Sequence, residues 1–191
     1  MNQTNIYLCG MGGQGIGLLA NALARACIAA GHVIHGCDTH GLAQRGGSVV
    51  SHLRLGKHCH TPRVGDGAAD LVIGLERLEA FRGAALKLRS GGTLVYYDVV
   101  YQPIFVRLGR VPYQTADDFA QLIAARNGRV ERVFLDGLED PRTQNAALLG
   151  RVASLGVIPG LTKEHVADAL SASLPAAARE QNLEVFRRAA I

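Results

Sequence analysis

At 191 residues the chain has room for one sizeable α/β domain and little more. Its 48% hydrophobic and 19% charged residues are those of a globular protein, which argues against disorder. The net charge is +4, yet 17 of the 20 basic residues are scattered Arg with no aromatic-interleaved basic face, so no nucleic-acid partner is expected.

The chain opens on Met1-Asn2-Gln3-Thr4-Asn5, which carries no basic leader, and no run reaches the ~20 apolar residues of a membrane span. No signal peptide and no membrane partner are expected, and the location read from this is cytoplasmic. Ile6-Tyr7-Leu8-Cys9 has the length of a buried strand and runs into Gly10-Met11-Gly12-Gly13-Gln14-Gly15. Ile16, Leu18, Leu19, Leu23, Ala26 and Cys27 then recur at helical spacing up to Gly31. Strand, glycine turn and helix open a dinucleotide-type βαβ unit. Gly10, Gly12 and Gly15 fit G-x-G-x-x-G, in which glycine permits a tight turn, close phosphate approach and close helix–strand packing. The next strand, His32 to Cys37, ends at Asp38, where an acid would hold a ribose hydroxyl in a nicotinamide enzyme.

The stretch Thr39-His40-Gly41-Leu42-Ala43-Gln44-Arg45-Gly46-Gly47-Ser48 is a polar, glycine-hinged loop feeding an alternating strand through Leu55. Gln44 offers both donor and acceptor, and Arg45 a planar fork suited to carboxylate or phosphate. Gly56 to Pro62 reads as a turn and edge segment. Leu71 to Gly74 is a short buried strand, followed by a helix from about Glu76 to Leu88 with Leu78, Phe81, Ala85 and Leu88 on one face. Gly91-Gly92 breaks it before a strand from Thr93 to Tyr97. Residues 99 to 114 are irregular, with room for a small hairpin. Thr115 caps a helix to about Asn127, Arg129 to Asp136 is the last strand, and the tail is helical near 141–155, 162–173 and 175–190. The alternation predicts an α/β fold, a doubly wound, mostly parallel, Rossmann-like sheet with a helical C-terminal tail, in a single domain over 1–191.

Cys9, Cys27, Cys37 and Cys59 include no Cys-x-x-Cys pair, so they read as free thiols or small apolar residues, and no iron–sulfur cluster is expected on this chain alone. His35, Cys37 and His40 with His58, Cys59 and His60 match no standard zinc spacing, and no metal is expected. Gly65-Asp66-Gly67 mimics the start of a thiamine diphosphate motif, but no Asn between Asn21 and Asn127 could complete its magnesium site.

Three blocks carry a family resemblance. Gly10-Met11-Gly12-Gly13-Gln14-Gly15, the Thr39 to Ser48 stretch and Gly67-Ala68-Ala69-Asp70-Leu71-Val72-Ile73-Gly74-Leu75-Glu76 resemble signature blocks of the γ-type domain of the 2-oxoacid:ferredoxin oxidoreductases. Leu42 stands where the family usually has Met. As a separate small chain, this one is most similar to the β subunits of indolepyruvate ferredoxin oxidoreductases.

The resemblance implies a non-thiamine-binding subunit that supports oxidative decarboxylation of indolepyruvate or another arylpyruvate to an acyl-CoA. A γ subunit for pyruvate, 2-oxoglutarate or 2-oxoisovalerate stays open, as do, in other classes, a stand-alone nucleotide-binding dehydrogenase and a scaffold protein. It also implies that thiamine diphosphate, magnesium and iron–sulfur clusters sit on a larger partner subunit, that CoA is a substrate, and that ferredoxin is met through the complex. A homodimer is left open, and the isolated chain is expected to be inactive. The residues expected to bind a ligand or the partner are Gly10, Gly12, Gly13, Gln14, Gly15, Thr39, His40, Gln44, Arg45, Gly46, Gly47 and Ser48. None is assigned a catalytic role.

Overall fold

Short apolar runs, too short for helices, form the centres of β1, β4 and β5 in the one sheet of the computed structural model. It describes residues 3–40, 47–101, 108–109, 114–138 and 140–191, with the backbone alone for His40. In chain order the elements are β1 (Thr4–Met11), α1 (Ile16–Ala29), β2 (Ile34–His40), β3 (Ser48–Leu55), β4 (Ala69–Gly74), α2 (Arg77–Lys87), β5 (Leu88–Tyr97), α3 (Ala116–Ala124), β6 (Arg129–Val133), a 3-10 turn (Pro141–Thr143), α4 (Gln144–Leu155), α5 (Lys163–Ala172) and α6 (Ala176–Ala189). The small hairpin expected between 99 and 114 falls mostly on residues outside those described.

The sheet order is β2-β3-β1-β4-β5-β6. β3 runs antiparallel to both neighbours and the other five strands share one direction. One face is covered by α1, α4, α5 and α6 around Leu8, Leu19, Leu23, Leu148 and Phe186. The other carries α2 and α3 over Tyr7, Val72, Leu94 and Phe119. The mostly parallel, helix-flanked sheet matches the α/β expectation, and β1, β4 and β5 bury apolar side chains on both faces, as helices on both sides require.

Three expectations change in detail. β2 does not stop at Asp38 but runs to His40, because its backbone pairs with β3 as far as Val49. Gly91-Gly92 does not separate α2 from β5. The strand begins at Leu88, and the two glycines lie in an irregularity where pairing jumps from Ala69↔Leu88 to Leu71↔Thr93. A Cβ on Gly92 would sit 3.0 Å from the Ala69 carbonyl oxygen, so only glycine lets the strands close up there. Finally, α2 buries Leu78 but otherwise Glu79, Ala80, Gly83, Ala84 and Lys87 in place of Phe81 and Ala85. Small residues win because they let the helix lie close on the sheet: a Cβ on Gly83 would fall 2.6 Å from Cys9 Sγ. Phe81 turns instead to meet Phe119 edge-on, with ring centroids 5.5 Å apart.

Candidate functional site

The carboxyl end of β1 is where the chain's special residues converge. Gly13 (φ 101°) and Gly15 (φ 78°) take left-handed conformations that let the chain reverse from β1 into α1. Gly10 is packed rather than flexible, since a Cβ there would lie 2.9 Å from Leu75 Cβ. Gln14 closes the turn. Its Oε1 accepts from the Met11 N–H at 2.7 Å and its Nε2 donates to the Leu75 carbonyl at 3.0 Å, tying the ends of β1 and β4 together.

The hairpin between β2 and β3 comes to the same edge. The Gly12 N–H donates to the Gly47 carbonyl at 2.8 Å, and Met11 stands opposite Ser48 in the ladder. Thr39 and His40 are the last residues of β2, paired with Val50 and Val49. Gly10, Gly12, Gly13, Gln14, Gly15, Thr39, His40, Gly47 and Ser48 therefore gather at one end of three strands. Gln44, Arg45 and Gly46 lie outside the described residues.

A cavity of about 350 Å³ opens on the β1 side of this edge, lined by Met11, Gly12, Gly13, Gln14, Tyr101, Pro141, Arg142 and Gln144. The turn offers a phosphate less than its sequence promises, because the N–H groups of Met11, Gly12 and Gln14 already donate within the protein. Arg142 extends into solvent, where Asp140 pairs with it at 2.7 Å.

Several groups around the site are not among the residues the sequence singled out for binding. Asn145, buried at the start of α4, donates through Nδ2 to the carbonyls of Gln14 (3.0 Å) and Gly15 (3.2 Å), and its Oδ1 has no hydrogen-bond partner among the described residues. Glu76, fully buried, accepts from the Glu79 N–H at 3.0 Å and so caps α2. Burial holds its carboxyl above the ordinary range, against the pull of that N–H. Glu79 accepts from Ser48 Oγ at 2.6 Å and pairs with Arg82 at 2.9 Å. Asp98, at the end of β5, gathers Arg77 at 2.6 Å and Arg132. Asn145, Glu79 and Asp98 were not legible as site groups because the partners that define them lie on other elements, whereas Glu76 closes the Gly67 to Glu76 block and only its full burial was hidden.

Other predicted groups turn out to be occupied. Asp38 accepts from Ser51 Oγ at 2.6 Å. β3 intervenes between β1 and β2, so Asp38 stands roughly 10 Å from β1 across two strand spacings. It also lies level with Leu8 rather than with the turn. The ribose-binding geometry that a dehydrogenase needs from its second strand is thus not formed. Cys59 is buried, and among the described residues no three His, Cys, Asp or Glu side chains gather to hold a metal. The cysteines are free. Burial pushes the Cys27 thiol up to about 12 and that of Cys9 well above its ordinary value, so neither is a nucleophile at neutral pH.

Both the glycine turn and the hairpin stretch lie within residues 5–190, which match the family described as pyruvate ferredoxin/flavodoxin oxidoreductase. The chain belongs to that family. It is 29% identical to indolepyruvate oxidoreductase subunit IorB of Pyrococcus horikoshii over 192 residues, covering 97% of this chain and 94% of the relative. The IorB subunit of Archaeoglobus fulgidus is 31% identical over 189 residues, covering 96% of this chain and 92% of its own. Its fold is similar to the crystal structure of the keto/oxoacid ferredoxin oxidoreductase gamma subunit from Geobacter sulfurreducens, with a TM-score of 0.67, 21% identity, and 98% and 96% of the two chains covered. The relatives are subunits of oxidoreductases, and an enzyme subunit is what this family member is. Among the described residues no helix is long and apolar enough to cross a membrane.

Proposed function

We propose that the chain is the non-thiamine-binding subunit of an indolepyruvate or other arylpyruvate ferredoxin oxidoreductase. The observation that carries the reading is end-to-end likeness to separate small subunits of that name, with 97% of this chain and 94% of the relative covered. Gamma-type relatives acting on other 2-oxoacids share the fold, so the substrate is the part of the reading an assay must fix.

In this reading residues 1–191 form a single γ-type domain, cytoplasmic, that works only beside a larger subunit. Thiamine diphosphate with magnesium, the iron–sulfur clusters and the contact with ferredoxin belong to that subunit, and the reading leaves a homodimer open. The donor set here does not suit those groups. Asp66 of the Gly65-Asp66-Gly67 turn is paired with Lys87 Nζ at 2.5 Å and lies before β4, at the end of the sheet away from the glycine turn. No Asn follows it until Asn127. No step is therefore derived through a thiamine or a cluster on this chain. What its described residues offer is an ordered edge: the turn at Gly10, Gly12, Gly13, Gln14 and Gly15, with Thr39 and His40 at the end of β2 and Gly47 and Ser48 at the start of β3; the interface in this reading also takes in Gln44, Arg45 and Gly46, which lie outside the described residues. That edge serves as partner interface and as a wall of the space where CoA and oxoacid meet.

Co-expression with a thiamine-binding large subunit tests this. The two should copurify, and the pair should reduce ferredoxin with indolepyruvate and CoA while neither chain does so alone. Turnover by the lone chain, or failure to copurify, overturns the reading; a preference for pyruvate over arylpyruvates moves it to the other substrate group.

A further inference from the structure

The cavity beside the glycine turn is small and mostly apolar. At about 350 Å³ it lies at the low end of the volumes that hold small molecules. Its lining takes in Met11, the side-chain-free Gly12 and Gly13, and the rings of Tyr101 and Pro141. A Cβ built on Gly13 would meet nothing within 4 Å, so space is open beside that residue. The chain leading to Tyr101 is fixed where the Arg77 N–H donates to the Val99 carbonyl at 3.1 Å.

The polar groups on that lining divide into engaged and free. Gln14 uses both ends of its amide on Met11 and Leu75, and Arg142 faces the Asp140 carboxylate. The N–H groups of Met11, Gly12 and Gln14 are likewise engaged. Gln144 differs. It opens α4, is 3% exposed, and its side-chain amide makes no hydrogen bond among the described residues. A buried amide without a partner is unfavourable, and a ligand that supplied the missing bond would relieve it. A phosphate gains little here, because those main-chain donors are taken and Arg142 is paired.

We infer that the cavity takes a neutral, flat ring carrying an N–H, with Gln144 Oε1 as the acceptor for it. The Met11 thioether and the Tyr101 ring both pack favourably on aromatic groups, and bare glycine lets a ring lie close to the main chain. Resting on the arylpyruvate reading above, the ring is the indole of the substrate. Gln144 is then a specificity-determining residue on this chain, and the keto-acid end is left to the larger subunit, where that reading puts the chemistry.

Two measurements test this. In NMR titrations of the full chain with indole, shifts should centre on Met11, Gly13, Tyr101 and Gln144 and saturate with a Kd of about a millimolar. Indene, which has the same shape and no N–H, should bind about fivefold more weakly, and Gln144→Leu should bind the two alike. AMP should move none of these residues. In the reconstituted complex, Gln144→Leu should raise KM for indolepyruvate about fivefold, with kcat the lesser change, while KM for phenylpyruvate moves less than about twofold. No indole shifts at the cavity, equal wild-type binding of indole and indene, AMP binding there, or equal rises in KM for both substrates would each overturn the inference and leave the subunit reading intact. A complex that copurifies yet rejects arylpyruvates removes that reading's substrate, and overturns the assignment of the ring with it.

Discussion

Glu76 shows how one atom's surroundings set a measurable property. Its carboxyl sits in the seam between β4 and α2 with one oxygen unpartnered among the described residues, and burial raises its pKa above the ordinary value. An acid whose folded pKa is raised favours folding most fully below its unfolded value, and loses that contribution as pH rises through the raised value. His52 has the opposite sense. Burial first, then the nearby cations Lys87 and Arg63, lower its pKa, so its contribution is complete above about pH 6.5 and lost as pH falls. Glu76→Gln keeps the cap on the Glu79 N–H without a charge to desolvate. Its stability relative to wild type should therefore increase from pH 5 to pH 8, measured by denaturant melts at both; a constant difference would show that burial does not perturb this carboxyl. His52 is common to both proteins and cancels.

At the level of elements, the glycine turn is held as much by α4 as by its own sequence. Gly15 caps α1 in the left-handed region, and a Cβ there would lie 2.9 Å from the Asn145 amide nitrogen that bonds the Gln14 and Gly15 carbonyls. Gly15→Ala should cost about 2 kcal/mol or more, from backbone strain and from displacing Asn145 together. Thermal melts should show a fall of roughly 4–8 °C for a chain of this size. A loss under one degree would mean that α4 can retreat without consequence. The turn was legible because strand, glycines and helical periodicity follow one another locally. Its dependence on Asn145 was not, because a contact across 130 residues leaves no periodic trace. The face of α2 was misread for a related reason: Ala80, Gly83 and Ala84 look neutral in sequence and are chosen only by how near the sheet comes.

The whole molecule decides between two functions that the first forty residues leave open. A glycine turn followed by a strand with Asp38 reads as a nucleotide site, but β3 inserts antiparallel between β1 and β2 and pulls Asp38 away from the turn to Ser51. Thermal shift of the isolated chain with NADH should accordingly show no stabilisation at millimolar ligand; a clear rise in Tm would restore a nucleotide pocket that this topology denies. The sequence by itself determined the class of fold, the turn at Gly10 to Gly15, most helix starts and the family blocks, since these rest on periodicity, capping and glycine placed within one stretch of chain. Only the tertiary structure decided the strand order, the meeting of Gly12 with Gly47, and the tie from Ser48 to Glu79. Those rest on which backbone reaches which across the sheet, and hydrogen bonds between distant residues are fixed by packing rather than by local pattern.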